Sequence, residues 1–241
     1  MLALIVLTVV CSLTYTFEIV FGLGGTIMML PLMAPLIDTK TLVIYSTLPQ
    51  ILVGVIGLIR SPRTVDLRFL MPMLGFAAVG ATAGTLLFTA IPRPLFRYLL
   101  ATIVTLSGLY LAVSANRRHL GPVTARLFDV LAGASQALFG ISGPIAMTRL
   151  LATFEDKTVV RNYALAFFLA LNIFRLGGYG VNGLIVPRVV HMMVVSGPVL
   201  AVTLWQANHL HRHVRETVFR RVVSWVIVVG GLSLFWSGGL G

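Results

Sequence analysis

The sequence predicts an all-α polytopic membrane protein made of two inverted repeats, each a glycine-broken re-entrant helical hairpin followed by three transmembrane helices. Three observations predict this. First, 58% of the residues are apolar and only 10% are charged, whereas about a quarter are charged in a soluble domain. Second, FGLGGTIMMLPLMA (Phe21 to Ala34) recurs 118 positions on as FGISGPIAMTRLLA (Phe139 to Ala152), with identities at Phe21/Phe139, Gly22/Gly140, Gly25/Gly143, Ile27/Ile145, Met29/Met147, Leu32/Leu150 and Ala34/Ala152. Third, the basic residues collect in alternate loops.

The first apolar run, 2–21, opens on MLALIVLTVV. It has no basic leader and reads as a membrane segment, not as a cleaved signal. The run 27–37 that follows the glycines is too short to cross a bilayer, which needs about 20 residues. It therefore reads as a half-helix paired with the run before it. Runs 41–59, 69–90 and 95–114 follow as full spans, with Gly80 and Gly84 forming a GxxxG pair suited to close helix packing. The second half repeats the order: 127–139, a short 144–153, then 162–180, 184–205 and 218–237. Leu95 to Leu111 also matches Val218 to Leu234, pairing Phe96/Phe219, Arg97/Arg220, Gly108/Gly231 and Leu109/Leu232. The chain thus divides into an N-terminal repeat, 1–115, a cytoplasmic linker, 116–125, and a C-terminal repeat, 126–241. Three spans per half is an odd number, so the second half is expected to sit inverted. The length of 2–21 is the difficulty, since it could span alone.

Charge orients the protein. Lys and Arg number 18 against 7 Asp and Glu, a net charge of +11. In a soluble chain that excess would point to nucleic acid; here it points to cytoplasmic loops and lipid headgroups. One side carries Lys40, Arg93, Arg97 and Arg188; the other carries Arg60, Arg63, Arg68, Arg117, Arg118, Arg126, Lys157, Arg161, Arg212, Arg215, Arg220 and Arg221. Both termini are therefore expected outside. Eight simple spans would divide the same residues almost evenly, which obeys no rule. Cys11 is the single cysteine and has no internal partner for a disulfide.

Two basic residues remain inside apolar runs, Arg149 and Arg175. A charge there costs from about 3 to above 10 kcal/mol and needs water, protein or a partner. Both are candidates for balancing an anion. Structurally, Arg175 could snorkel to the interface and Arg149 could pair with Glu155 or a helix C-terminus. Glu18 lies four residues before Gly22, and the 118-residue shift carries it onto Gln136, four before Gly140. These two are candidate coupling or cavity residues; Glu18 could bind a proton or neutralise an arginine. Asp129 reads as lying near a helix start.

The breaks themselves favour anions. Half-helix N-termini present free N–H groups and the positive end of the helix dipole. Gly24, Gly25 and Thr26 at the first break and Ser142, Gly143 and Pro144 at the second are candidate binding residues, with Ser142 suited to cap its half-helix and Pro144 to its first turn. Gln50 and Asn172, with Ser46 and Thr47, are polar residues that could complete the cavity.

At GLGGTIMMLP (Gly22 to Pro31) and GISGP (Gly140 to Pro144) the chain resembles the sulfite exporter TauE/SafE family, whose halves each carry a glycine-rich segment leading to a proline. Thr26 stands where the family's first motif has a third glycine. The resemblance covers nearly the whole chain. It implies a transporter of a small anion, sulfite or an organosulfonate such as sulfoacetate, exported across a bacterial inner membrane; the two inverted repeats add the expectation of alternating access at a midplane site between them. No cofactor, metal or nucleic acid is expected, and a homodimer is compatible with the sequence. The alternatives are a proton-coupled transporter, an anion channel, or an intramembrane enzyme using Glu18 or His191. The HLHRH run with His209, His211 and His213 reads as a basic loop near lipid phosphates, and His119 as a further loop histidine.

Overall fold

The computed structural model describes residues 2–59, 65–113, 120–207 and, further on, 225, 228, 229 and 232. The expected pairing of the last helix with Leu95 to Leu111 lies almost wholly outside the described residues. So do His119, the HLHRH run, Arg60, Arg63, Arg117, Arg118, Arg212, Arg215, Arg220 and Arg221.

Among the described residues every regular element is helical. The chain runs through α1 (Leu2–Phe21), α2 (Gly25–Met33), α3 (Thr39–Tyr45), α4 (Thr47–Ile59), α5 (Leu67–Ala90), α6 (Arg93–Val113), α7 (Pro122–Phe139), α8 (Gly143–Leu151), α9 (Lys157–Val181) and α10 (Pro187–Ala207). Among the described residues, five stretches are long and apolar enough to cross a membrane: Leu2–Val20, Thr39–Ile59, Leu67–Ala90, Thr158–Val181 and Pro187–Ala207. On α1, Leu2, Ile5, Val9 and Leu13 point outward, all more than half exposed. Such a stripe faces lipid, not water. The protein is a multi-pass membrane protein.

Element boundaries carry the duplication further than residue identities do. Both α2 and α8 are nine residues long and begin 118 positions apart. Asp38 and Asp156, also 118 apart, cap the helices that follow: Asp38 accepts from the Thr41 N–H at 3.1 Å, and Asp156 from those of Thr158 and Val159 at 2.7 and 2.9 Å. The packing repeats as well. The contact of α5 with α7 matches that of α10 with α1, and α5 with α9 matches α10 with α4; the α4–α9 crossing maps onto itself.

Glycine makes the α5–α7 seam possible. A Cβ on Gly80 would run into the Val130 carbonyl, and one on Gly133 into the Ala77 carbonyl. The GxxxG pair is thus a packing surface, where small residues let two backbones touch.

One expectation is refined and two need correction. The run 41–59 keeps the length of a full span but is divided into α3 and α4 by a turn at Ser46. Pro49 lacks the N–H that would bond Tyr45 O four residues back, which weakens the helix at this turn. Arg161 is not a loop cation. It is the fifth residue of α9, only 6% exposed, and its Nε and Nη2 donate to Ile19 O at 3.0 and 2.6 Å. Asp129 lies not at the start of α7 but well inside it, and is buried.

Candidate functional site

Each break is a left-handed glycine cap. Gly22 (φ 82°) donates its N–H to Glu18 O at 2.8 Å, and Gly140 (φ 71°) donates to Gln136 O at the same distance. A side chain in this conformation costs roughly 1–2 kcal/mol, which is why glycine stands at both positions. Gly24 (φ 114°) then turns the chain into α2. Gly140→Ala is expected to lower the thermal midpoint of the purified protein by several degrees, because its Cβ would also press on Arg175 and Ser46 at 3.0 Å.

The two breaks face each other across a small buried cavity with room for about one water-sized group. Six residues of each half line it, and four pairs are related by the 118-residue shift: Glu18/Gln136, Leu23/Ile141, Gly24/Ser142 and Gln50/Phe168. Sequence reasoning did not single out Phe168, although the shift from Gln50 lands on it.

A hydrogen-bonded network backs one wall. Gln136 Nε2 donates to Gln50 Oε1 at 2.9 Å and to Asn172 Oδ1 at 3.1 Å, and Ser142 Oγ donates to Gln136 Oε1 at 2.6 Å. Ser142 therefore stands at the N-cap of α8 without capping it through its side chain, contrary to expectation. Its hydroxyl is held by Gln136 instead. Gln50 Nε2 donates to Gly140 O at 3.2 Å. Behind these amides sits Arg175, fully buried and not snorkelling. Its Nη1 donates to Gln50 Oε1 and Asn172 Oδ1 at 3.2 and 3.1 Å, its Nη2 to Ser46 Oγ at 2.8 Å and to Val43 O, and its Nε to Tyr179 OH at 3.2 Å. Every one of these partners is neutral, so the guanidinium charge stays available to its surroundings. Tyr179 relays to Ala137 O at 2.7 Å. Its part could have been found in sequence only as a tyrosine one turn beyond Arg175.

On the other wall the Glu18 carboxylate, 3% exposed, faces the N–H groups of Gly25 and Thr26 and the Gln50 amide. Thr26 Oγ1 pairs with Tyr15 OH at 2.9 Å. Gly25, Pro144, Asn172 and Arg175 stand just behind the lining, while Glu18, Gly24, Thr26, Gln50, Gln136, Ser142 and Gly143 form it. Thr47, the first residue of α4, turns its hydroxyl back to Ile44 O in α3.

Arg149 lies elsewhere. Its Nε is 3.6 Å from Asp129 Oδ1, its Nη1 donates to Thr153 Oγ1, and its guanidinium lies 5.1 Å from the Phe69 ring centre. Its ionic partner is Asp129, not Glu155. His191 is on an exposed face of α10.

Neither the curated proteins nor the solved structures include a match to this chain. A match does come from the family described as Sulfite exporter TauE/SafE, and it extends over residues 7–234, taking in both glycine breaks and the network between them. With nearly the whole chain matched and both breaks inside it, the protein belongs to the sulfite exporter TauE/SafE family.

Proposed function

We propose that the protein exports a small anion of the sulfite and organosulfonate class, binding it between the two glycine breaks. The observation that carries this reading is Arg175: a fully buried cation whose partners are all neutral, directly behind Gly140 and the cavity. A buried charge without a counter-ion is costly, and an anion in the adjacent cavity would supply one. The α8 N-terminus adds its dipole and N–H groups from the same side.

In this reading each half is one transport repeat, 1–115 and 126–241, with α1–α2 and α7–α8 as re-entrant pairs of opposite orientation. The repeated boundaries and exchanged packing support the symmetry. A cavity of about one water cannot hold a sulfonate, so binding requires the halves to part. Rocking about the self-related α4–α9 crossing would open the site to one side and then the other. With basic loops in the cytoplasm and both termini outside, the membrane potential drives an anion outward by about 2.3 kcal/mol per charge per 100 mV. Export then needs no coupled ion.

The test is flux into proteoliposomes of sulfite, sulfoacetate, taurine, sulfate and acetate. Saturable, sulfonate- or sulfite-selective flux with counterflow is expected. Non-saturating current would indicate a channel instead, and absence of flux for every anion would sink the reading. Ser142→Asp, which places a fixed carboxylate at the start of α8, is expected to cut flux by about 100-fold through like-charge repulsion in a low-dielectric site.

A further inference from the structure

The two breaks are alike in backbone but not in charge. On α2 the first turn already faces an anion, the Glu18 carboxylate, held against Gly25 and Thr26. At the related position the second half has Gln136, whose oxygen accepts from Ser142 and whose nitrogen turns away to Gln50 and Asn172. The α8 N-terminus therefore has no carboxylate of its own. Position 25 is shaped for the arrangement: a Cβ there would strike the Glu18 carboxylate and approach the Tyr15 ring to 2.5 Å. Two opposed half-helix N-termini would otherwise suit an anion with an acidic group at each end.

Resting on the reading of this cavity as the anion site, we propose that Glu18 is a tethered carboxylate that fills the anion position of the first half. The transported anion then carries a single acidic head, held at Ser142 and Gly143. Glu18 is thus a specificity-determining residue. It repels a second acidic head, while Arg175 and the dipole of α8 attract the first. Single-headed anions such as sulfite or a simple alkanesulfonate fit; disulfonates and carboxysulfonates, sulfoacetate among them, are disfavoured, which narrows the organosulfonate class named above to its single-headed members.

The experiment compares methanesulfonate with ethane-1,2-disulfonate in proteoliposomes clamped at zero potential, so that valence does not bias the driving force. Wild type is expected to carry methanesulfonate in clear preference. In Glu18→Gln the ratio of kcat/KM for the disulfonate over methanesulfonate is expected to rise on the order of tenfold, the scale of an anion at a partly buried helix N-terminus. Glu18→Asp, whose shorter arm withdraws the carboxylate from Gly25 and Thr26, should shift the ratio the same way and serves if the glutamine variant does not fold. Gln136→Glu fills the second position and is expected to abolish methanesulfonate flux. A wild type that carries both anions equally, or a ratio unmoved in the Glu18 variants, overturns the inference while leaving anion transport intact. A wild type that carries neither removes the anion site and this inference together.

Discussion

Arg175→Gln is expected to lower anion flux by at least about 100-fold, because a charge-assisted contact in a desolvated site is worth up to about 3 kcal/mol. The loss has two sources. The cavity forfeits the cation behind Gly140, and Val43 O, Ser46, Gln50, Asn172 and Tyr179 each lose one hydrogen bond. Gln136 still donates to Gln50 and Asn172, and Ser46 to Val43 O, so the network is thinned at about 0.5–1.5 kcal/mol per bond and the variant is also expected to melt earlier. Arg175→Lys separates the two effects. A lysine keeps the charge but cannot reach five acceptors at once, so flux is expected to recover to within about tenfold while the melting deficit remains. Flux from reconstituted protein and thermal unfolding in detergent provide the two readouts. Arg149→Gln is the comparison. Arg149 is engaged by Asp129 and Thr153 away from the cavity, so its removal should cost less than about tenfold in flux. An inactive but well-folded Arg149→Gln beside an active Arg175→Gln would falsify the placement of the anion against Arg175.

Gly133→Leu is expected to prevent assembly of a monodisperse protein. Position 133 lies against the Ala77 backbone, and position 80 against that of Val130. A rotamer change cannot relieve a clash with a carbonyl, so α5 and α7 must separate along much of their shared length. Overpacking ordinarily costs about 1–3 kcal/mol, and a backbone clash at a helix crossing should exceed that range. Size-exclusion profiles and thermal midpoints of Gly133→Leu and Gly75→Leu make the contrast. Gly75, on the same helix as Gly80, has open space where its Cβ would be, and its substitution should be nearly neutral. A Gly133→Leu protein as stable as Gly75→Leu would show that the two helices do not touch as described.

The duplicated glycine stretch made much of this fold legible, because backbone conformation leaves a signature that side-chain chemistry does not. Gly22 and Gly140 are forced by their positive φ, and the short helices α2 and α8 begin within two residues of the apolar runs read at 27–37 and 144–153. Spacing also put Glu18 and Gln136 at one cavity. The roles of the arginines were not legible, since hydropathy tells that a charge is inside but not what it meets. Arg161 stands near the start of an apolar run and reads as a loop cation until Ile19 is seen beside it. Arg149 and Asp129 are 20 positions apart in different helices, and no periodicity links them. Pro49 is the one feature of the run 41–59 that signals the turn at Ser46.

Arg161 and Arg175 have a consequence for biogenesis. Both belong to the C-terminal half, and both donate to backbone carbonyls of the N-terminal half, Ile19 O and Val43 O. In lipid an unsatisfied carbonyl has no water to turn to and costs several kcal/mol. As the ribosome delivers α1–α6, Ile19 O waits for its Arg161 donors and Val43 O has only the Ser46 hydroxyl for as long as the second half takes to emerge. The N-terminal half is then a client waiting in the membrane. Expressed alone it should be cleared by quality-control proteases, and the separately expressed C-terminal half should rescue it.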